Sequence, residues 1–493
     1  MSLIDIQHLS YTYDGQYDPV FEDVCLQLDT GWRLGFVGRN GCGKTTFLKL
    51  LTGELDAGGS IRAPVSFAYF PYPVKRPERQ AAAVLAEICP DAEEWCLLRE
   101  LGRLDVDEAV LSQPFATLSH GEQTKLLLAA LFCRDDPFLL IDEPTNHLDE
   151  RARAGIAAYL RGKSGFILVS HDRAFLDGCV DHILAINRTS IDLQQGNFSS
   201  WYENKRREDQ QEIERNERLQ ADIRRLSASA RRTAGWSEQV EKSKTGSRNS
   251  GLRPDRGYIG HKAAKMMKRS KAIEQRRQAA VEEKTGLLHN IETAEALKLP
   301  VLRSPAETLC AFEGVTLFYG DRQIGGEIRF DVRRGERVAL TGRNGCGKSS
   351  VLRLLLGEEI RHTGRVYRAP RLEISYIPQD ASGLCGSLDA FIADNRLDGP
   401  LFRAILRKLD FDRVQFGKDM ADYSAGQKKK VLLAKSLCEP AHLYIWDEPL
   451  NYIDIFSRMQ IEQLLLEYQP TLLFVEHDSR FRDTVATKTV GLA

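Results

Sequence analysis

The sequence predicts an α/β protein: two domains of common descent, each built on a parallel sheet, joined by a long α-helical hairpin. Three observations predict it. Four blocks of sequence occur twice, in the same order, at offsets of 304–306 residues. Each copy places an apolar strand, a glycine-rich loop and an apolar helix in succession, the beginning of a strand–helix–strand unit. Between the copies lies a polar stretch of alternating charge with almost no β-branched runs, which suits helices and not a sheet.

In chain order, Arg33 to Val37 reads as a buried strand, Gly38 to Thr45 as the loop and Thr46 to Leu51 as the helix behind it. GRNGCGKTTFLKLLTGE, opening at Gly38, returns as GRNGCGKSSVLRLLLGE, opening at Gly342. Ser119 then maps to Ser424, Asp142 to Asp447 and His171 to His477. Duplication explains that register, and the copies occupy 1–199 and 305–493. Residues 200–304 form the segment between them. The breaker-rich run TGSRNSGLRPDRGYIG splits it into two helical arms, about Trp201–Glu241 and His261–Leu297, with a tip loop near 244–260. Their apolar positions are too sparse for a globular core and suffice for one antiparallel seam.

Composition excludes several classes. With 42% hydrophobic and 28% charged residues the chain is neither disordered nor fibrous. Its apolar runs fall far short of the roughly 20 residues that cross a bilayer. The start, MSLIDIQHLS, lacks the basic and apolar regions of a signal peptide. The ten cysteines form no C-x-x-C pair and no Cys/His cluster, so neither disulfides nor a zinc site is expected. They are expected to be mostly buried small hydrophobes in a protein of the reducing cytoplasm.

The loops carry the chemistry. Gly38-Arg39-Asn40-Gly41-Cys42-Gly43-Lys44-Thr45 matches G-x-x-x-x-G-K-[ST], and Gly342-Arg343-Asn344-Gly345-Cys346-Gly347-Lys348-Ser349 repeats it, followed by Thr46 and Ser350. The glycines let backbone amides turn inward to phosphate oxygens at a helix N-terminus. Lys44 and Lys348 are candidates to bridge β- and γ-phosphates, and Thr45 and Ser349 to ligate Mg2+. Later apolar strands end in Asp142-Glu143 and Asp447-Glu448. The aspartates suit the Mg2+ environment, and the glutamates are placed to orient or deprotonate water. His171 and His477 follow another strand and are candidates to contact the γ-phosphate. ATP and Mg2+ are therefore the expected ligands.

P-loop, S-x-G, D-E-P-x-N and a later histidine, in that order, resemble the ATP-binding cassette (ABC) family. That resemblance implies two ABC-type nucleotide-binding domains paired head to tail within one monomer. Each ATP would lie between one P-loop and the opposite signature, Ser119/Gly121 or Ser424/Gly426. Tyr13 and Tyr319 would stack on adenine. Tyr376-Ile377-Pro378-Gln379 supplies the family's metal-sensing Gln379, whereas Tyr69-Phe70-Pro71-Tyr72 puts Tyr72 there. Tyrosine offers no amide carbonyl, so the first site is expected to be slower or more structural, unless water replaces the ligand.

The formal charge of -1 conceals segregation. Residues 224–277 hold sixteen basic residues against four acids, a net of +12, which favours a phosphate-rich partner. Lys242, Lys244, Arg248, Arg253, Arg256, Tyr258, Lys262, Lys265, Lys268 and Arg269 are the candidate RNA-binding set, with Trp236, His261, Met266 and Met267 as further stacking or packing groups. A tandem cassette with such a linker, opened by GNFSSWY at Gly196, resembles the ABC-F translation factors. Its tip more narrowly resembles the Lsa/Vga-type antibiotic-resistance members. The resemblance implies cassettes in the exit-site region of the large ribosomal subunit and a linker reaching 23S rRNA and P-site tRNA. It further implies protection against lincosamides, streptogramin A and pleuromutilins. A housekeeping ABC-F factor without drug phenotype is the alternative, and a transporter motor subunit a more distant one. No ferredoxin-type cysteine run supports an Fe–S recycling ATPase.

Overall fold

The computed structural model describes residues 2–13, 19–134, 137–145, 148–186, 191–218, 221, 299–343, 345–411 and 413–492. The chain divides into two units, Met1–Trp201 with Glu295–Ala493, and Tyr202–Ala294.

In the first copy β1 (Leu3–Tyr11), β2 (Phe21–Asp29), β3 (Arg33–Val37), α1 (Lys44–Thr52), β4 (Gly58–Arg62) and β5 (Ser66–Phe70) come first. They are followed by α2 (Ala81–Ile88), α3 (Glu94–Arg103), α4 (His120–Phe132), β6 (Pro137–Asp142), α5 (Glu150–Arg161), β7 (Phe166–Val169), α6 (Arg173–Cys179), β8 (His182–Ile186) and β9 (Ile191–Gln195). Residues 198–218 form helix α7. The second copy runs β10 (Thr308–Tyr319), β11 (Arg322–Arg333), β12 (Arg337–Thr341), α8 (Lys348–Leu356), β13 (Arg361–Arg368) and β14 (Ile374–Ile377). Then come α9 (Leu388–Asp394), α10 (Gly399–Lys408), α11 (Ala425–Cys438), β15 (Leu443–Asp447), α12 (Ile455–Tyr468), β16 (Leu472–Val475), α13 (Ser479–Val485) and β17 (Lys488–Gly491).

Each copy has one main sheet and one three-stranded antiparallel sheet. The main sheets run β5-β6-β7-β3-β8-β9 and β14-β15-β16-β12-β17. Their central strands pair in parallel, and helices cover them, so they read as unbroken apolar runs. Phe36, Phe47, Leu140 and Ile167 are fully buried in the first core, as are Val338, Val351, Ile445 and Leu473 in the second. The order matters for chemistry. Strand β7 lies between β6 and β3, so the ends carrying Asp142, His171 and the first loop are neighbours, and β15, β16 and β12 repeat this.

Of the unit Tyr202–Ala294 the described residues are helical: α7 continues to 218, and Lys205 pairs with Asp209 one turn on at 3.1 Å. The rest of both expected arms, the tip and the whole RNA-binding set lie outside the described residues.

Two expectations are corrected. Five of the ten cysteines are buried; Cys42, Cys96 and Cys346 are intermediate, and Cys25 and Cys385 are exposed. A mixed His/Cys cluster also exists: strand pairing brings His8, Asp23 and Cys25 together. Residues 15–17 apart in sequence meet across the β1–β2 pairing, which no local spacing reveals.

Candidate active sites

Both loops are shaped by glycine at positions that would strain or crowd any other residue. Gly41 and Gly43 have φ of 83° and 98°, and Gly345 and Gly347 have 82° and 97°. A Cβ on Gly38 would lie 2.3 Å from Ile186, and one on Gly342 would lie 2.6 Å from the Leu492 carbonyl. The duplicated loops thus keep one backbone form. The Lys44 ammonium donates to the carbonyls of Gly38 and Arg39 at 2.7 and 2.9 Å. Lys348 donates to Gly342 and Arg343 at 2.8 and 2.9 Å. Asn344 lies outside the described residues.

The acidic ends differ between copies. In the first, Asp142 Oδ2 accepts the Thr45 hydroxyl at 3.2 Å and the Tyr69 hydroxyl at 2.8 Å. Burial, reinforced by Asp142, raises the Tyr69 pKa. In the second, Asp447 is buried beside the Ser349 hydroxyl, and burial pushes this carboxyl up to about 6. Hydroxyl and carboxylate oxygens are hard donors, so both sets fit Mg2+.

Glu143 and Glu448 stand in the left-handed region, at φ of 50° and 48°. Two equivalent non-glycine residues held there mark a strained and repeated position. Glu143 lies 3.4 Å from His171 Nε2, and Glu448 lies 3.3 Å from His477 Nε2. Beyond that their surroundings diverge. Burial, with Asp142 next to it, pushes the Glu143 carboxyl up to about 8. Burial acts on Glu448 too, but hydrogen bonds from His477, Gln379 and Asn451 outweigh it and bring this carboxyl down to about 2. Asn451 donates to it at 2.7 Å. Burial, then the charges of Lys44, Arg458 and Lys430, drive His171 well below its ordinary pKa.

The signature serines are helix caps. Ser119 and Ser424 begin α4 and α11, each closing a capping box with Glu122 or Gln427. In the first copy the Ser119 hydroxyl also donates to the Glu122 carboxylate at 2.7 Å. Gly426 packs so tightly that a Cβ would meet the Tyr452 carbonyl at 2.9 Å, whereas one on Gly121 would meet only Leu148 and Ala152 at 3.7 and 3.9 Å. Tyr13 and Tyr319 keep exposed rings, and their hydroxyls lie 2.7 Å from Thr46 and 3.3 Å from Ser350.

Contacts between the copies involve the first loop. Arg39 pairs with Asp410 at 2.5 Å, and Asn40 donates to the Tyr452 carbonyl at 3.0 Å. Lys430, on the helix capped by Ser424, is held below the ordinary lysine range by burial, with Lys44 adding to that push. The first P-loop therefore faces the second copy. Buried Arg173 pairs with Glu462, and Arg482 with Glu150 at 2.7 Å.

Several of these groups are absent from the motif reading. Tyr69 was hidden because the copy-to-copy comparison pointed to Tyr72. Lys429 is buried and donates to the Pro378 carbonyl at 2.8 Å and the Asp447 carbonyl at 3.4 Å. Its only sequence signal is that the equivalent residue of the first copy is Thr124.

The ABC transporter family model matches residues 21–146 and 326–451, slightly more than half the chain. Uup, an ATP-binding protein of Caulobacter vibrioides, is 30% identical over 492 residues, covering 96% of this chain and 75% of Uup. The chain belongs to the ABC-F family. The ribosome protection protein VmlR of Bacillus subtilis is 28% identical over 491 residues, covering 97% of this chain and 84% of VmlR. A solved complex of archaeal ribosomal stalk protein aP1 with the ribosome recycling factor aABCE1 shares the fold. It has a TM-score of 0.63 at 20% identity over 98% of this chain and 87% of that one. This ABC-F protein is an ATP-hydrolysing enzyme with two ABC cassettes. Among the described residues, no helix is long and apolar enough to cross a membrane.

Proposed function

We propose that this ATPase binds the large ribosomal subunit and protects translation from drugs that act at the peptidyl-transferase centre. The observation that carries the reading is the pairing of two cassettes through the first P-loop, in a chain whose intervening segment 224–277 has a net charge of +12. Similarity to VmlR, named a ribosome protection protein, supports it. Lincosamides, streptogramin A and pleuromutilins are the proposed classes, and the basic linker tip the element that approaches P-site tRNA and 23S rRNA. The cytoplasm is the proposed location.

In this reading ATP closes the cassettes. Gly38–Thr46 and Gly342–Ser350 cradle the phosphates, Tyr13 and Tyr319 face adenine, and Ser119/Gly121 and Ser424/Gly426 close over the opposite nucleotides. Thr45 with Asp142, and Ser349 with Asp447 and Gln379, would hold Mg2+, which would offset phosphate charge. Glu143 and Glu448 accept the proton of attacking water, with His171 and His477 beside them. The sites are unequal. Glu448 is ionised at neutral pH, whereas Glu143 must first lose a proton, so the two sites respond differently to pH.

The double variant Glu143→Gln/Glu448→Gln is expected to co-sediment with ribosomes in ATP and to dissociate in ADP. Absence of ATP-dependent co-sedimentation would overturn ribosome binding. Deleting residues 244–260 is expected to abolish drug protection while leaving co-sedimentation intact; protection that survives would instead favour a role for the cassettes alone.

A further inference from the structure

We propose that His8, Asp23 and Cys25 form a site for a zinc-class divalent cation on the antiparallel sheet of the first cassette. Strands β1 and β2 pair Leu9 with Val24, and a register shift between Ile6 and Leu9 inserts a bulge at His8. Asp23 and Cys25 flank Val24, so the period of two puts their side chains on one face, opposite to Val24. The bulge turns His8 onto that face. Its Nδ1 lies 2.6 Å from Asp23 Oδ1 and 3.9 Å from Cys25 Sγ, and one ligand atom from each residue falls within 4.8 Å of the other two.

The second cassette provides an internal comparison. Val315 pairs with Ile328 as Leu9 pairs with Val24, so His8, Asp23 and Cys25 correspond to Gly314, Glu327 and Arg329. There the bulge carries the expected glycine, at φ 63°, and Arg329 forms an ion pair with Glu327 at 2.7 Å. In the first cassette His8 takes the same left-handed backbone at φ 52°, which an L side chain rarely adopts. A glycine and an ion pair have thus been exchanged for imidazole, carboxylate and thiol. A hydrogen bond joins His8 to Asp23, and Cys25 Sγ accepts the His8 backbone N–H at 3.3 Å, so all three side chains already converge on one point.

The chemistry selects the ion. Thiolate and carboxylate together carry two negative charges, and sulfur with imidazole nitrogen favours Zn2+ over Mg2+ or Ca2+. Tetrahedral zinc at about 2.0–2.3 Å from each donor needs donors about 3.5 Å apart. The Cys25–His8 spacing is near that value, and the His8–Asp23 pair must open by less than about 1 Å. His8 and Asp23 are 74% and 70% exposed, so their side chains have room to turn and water has access to the fourth position.

Co2+ is the probe, added to the reduced, chelator-treated full-length protein and then displaced by Zn2+. One equivalent is expected to give a thiolate-to-cobalt absorption band with tetrahedral visible bands. His8→Gly places at the bulge the residue the second cassette uses, so it keeps the fold; with Cys25→Ser it is expected to weaken Co2+ binding at least tenfold. Gly314→Ala, in the other cassette, is expected to leave binding unchanged. No thiolate band in the parent, or a band of equal strength in either ligand variant, would overturn the site.

Discussion

Glu143 and Glu448 occupy equivalent strand ends and the same left-handed backbone, yet they carry different charge. The difference arises around them: His477, Gln379 and Asn451 direct hydrogen bonds at Glu448, while Glu143 Oε1 lies buried 3.4 Å from His171 Nε2 and accepts no hydrogen bond among the described residues. A carboxyl raised to about 8 accepts a proton only above that pH, and one lowered to about 2 is ionised throughout the neutral range. With Glu448→Gln, single-turnover hydrolysis at the remaining first site is expected to climb as pH rises through about 8. With Glu143→Gln, the second site is expected to be flat from about pH 6 to 9. Parallel pH profiles would remove the asymmetry. The phosphate loops were legible in the sequence because a backbone shape that favours glycine leaves a fixed spacing, and both glutamates because each ends an apolar strand in a repeated Asp-Glu. Their charge states were not, since these depend on groups from several elements, such as Asn451 and Gln379.

Among elements, α11 has two roles. Its N-terminus bears Ser424 and Gly426, and one turn later Lys429 reaches the carbonyls before Gln379 and at Asp447. Movement of the signature is thereby tied to the metal side of the same cassette. Lys429→Met keeps the length of the side chain and removes both bonds. It is expected to lower the single-turnover rate at the second site about tenfold, equivalent to about 1.4 kcal/mol, with nucleotide affinity little changed. Thr124→Val in the first cassette is expected to have little effect; equal effects from both would make the contact merely structural. Strands β3, β6, β12 and β15 were readable as apolar runs between breakers. The Lys429 contact was not, because a lysine in a polar-looking run gives no sign of burial until the helix packs against a sheet. The bulge at His8 was invisible for a related reason: its partners are set by strand register.

For the molecule as a whole, buried Arg173 of α6 and buried Glu462 of α12 join the two copies. Removing one partner strands a charge away from water, which costs about 3 kcal/mol or more. Arg173→Ala is expected to split a single calorimetric unfolding transition into two, and pairing it with Glu462→Ala to recover part of the loss. A lone transition at an unchanged temperature would show that the copies are held by other contacts. The duplicated architecture was plain from four repeated blocks, whereas the pairing of Arg39 with Asp410, residues 371 positions apart, required the folded chain.

The tandem connection has a consequence for symmetry. Two separate identical cassettes meeting head to tail would form an isologous pair in which every substitution appears twice. Here residues 1–201 and 295–493 belong to one chain, so Tyr69 can serve one carboxylate and Lys429 the opposite cassette without either change being mirrored. Fusion releases the pair from its two-fold axis while the φ angles of Gly41 and Gly345, and of Gly43 and Gly347, still agree to within about a degree. Such a pseudo-dimer can divide labour, one half acting as clamp and the other as clock.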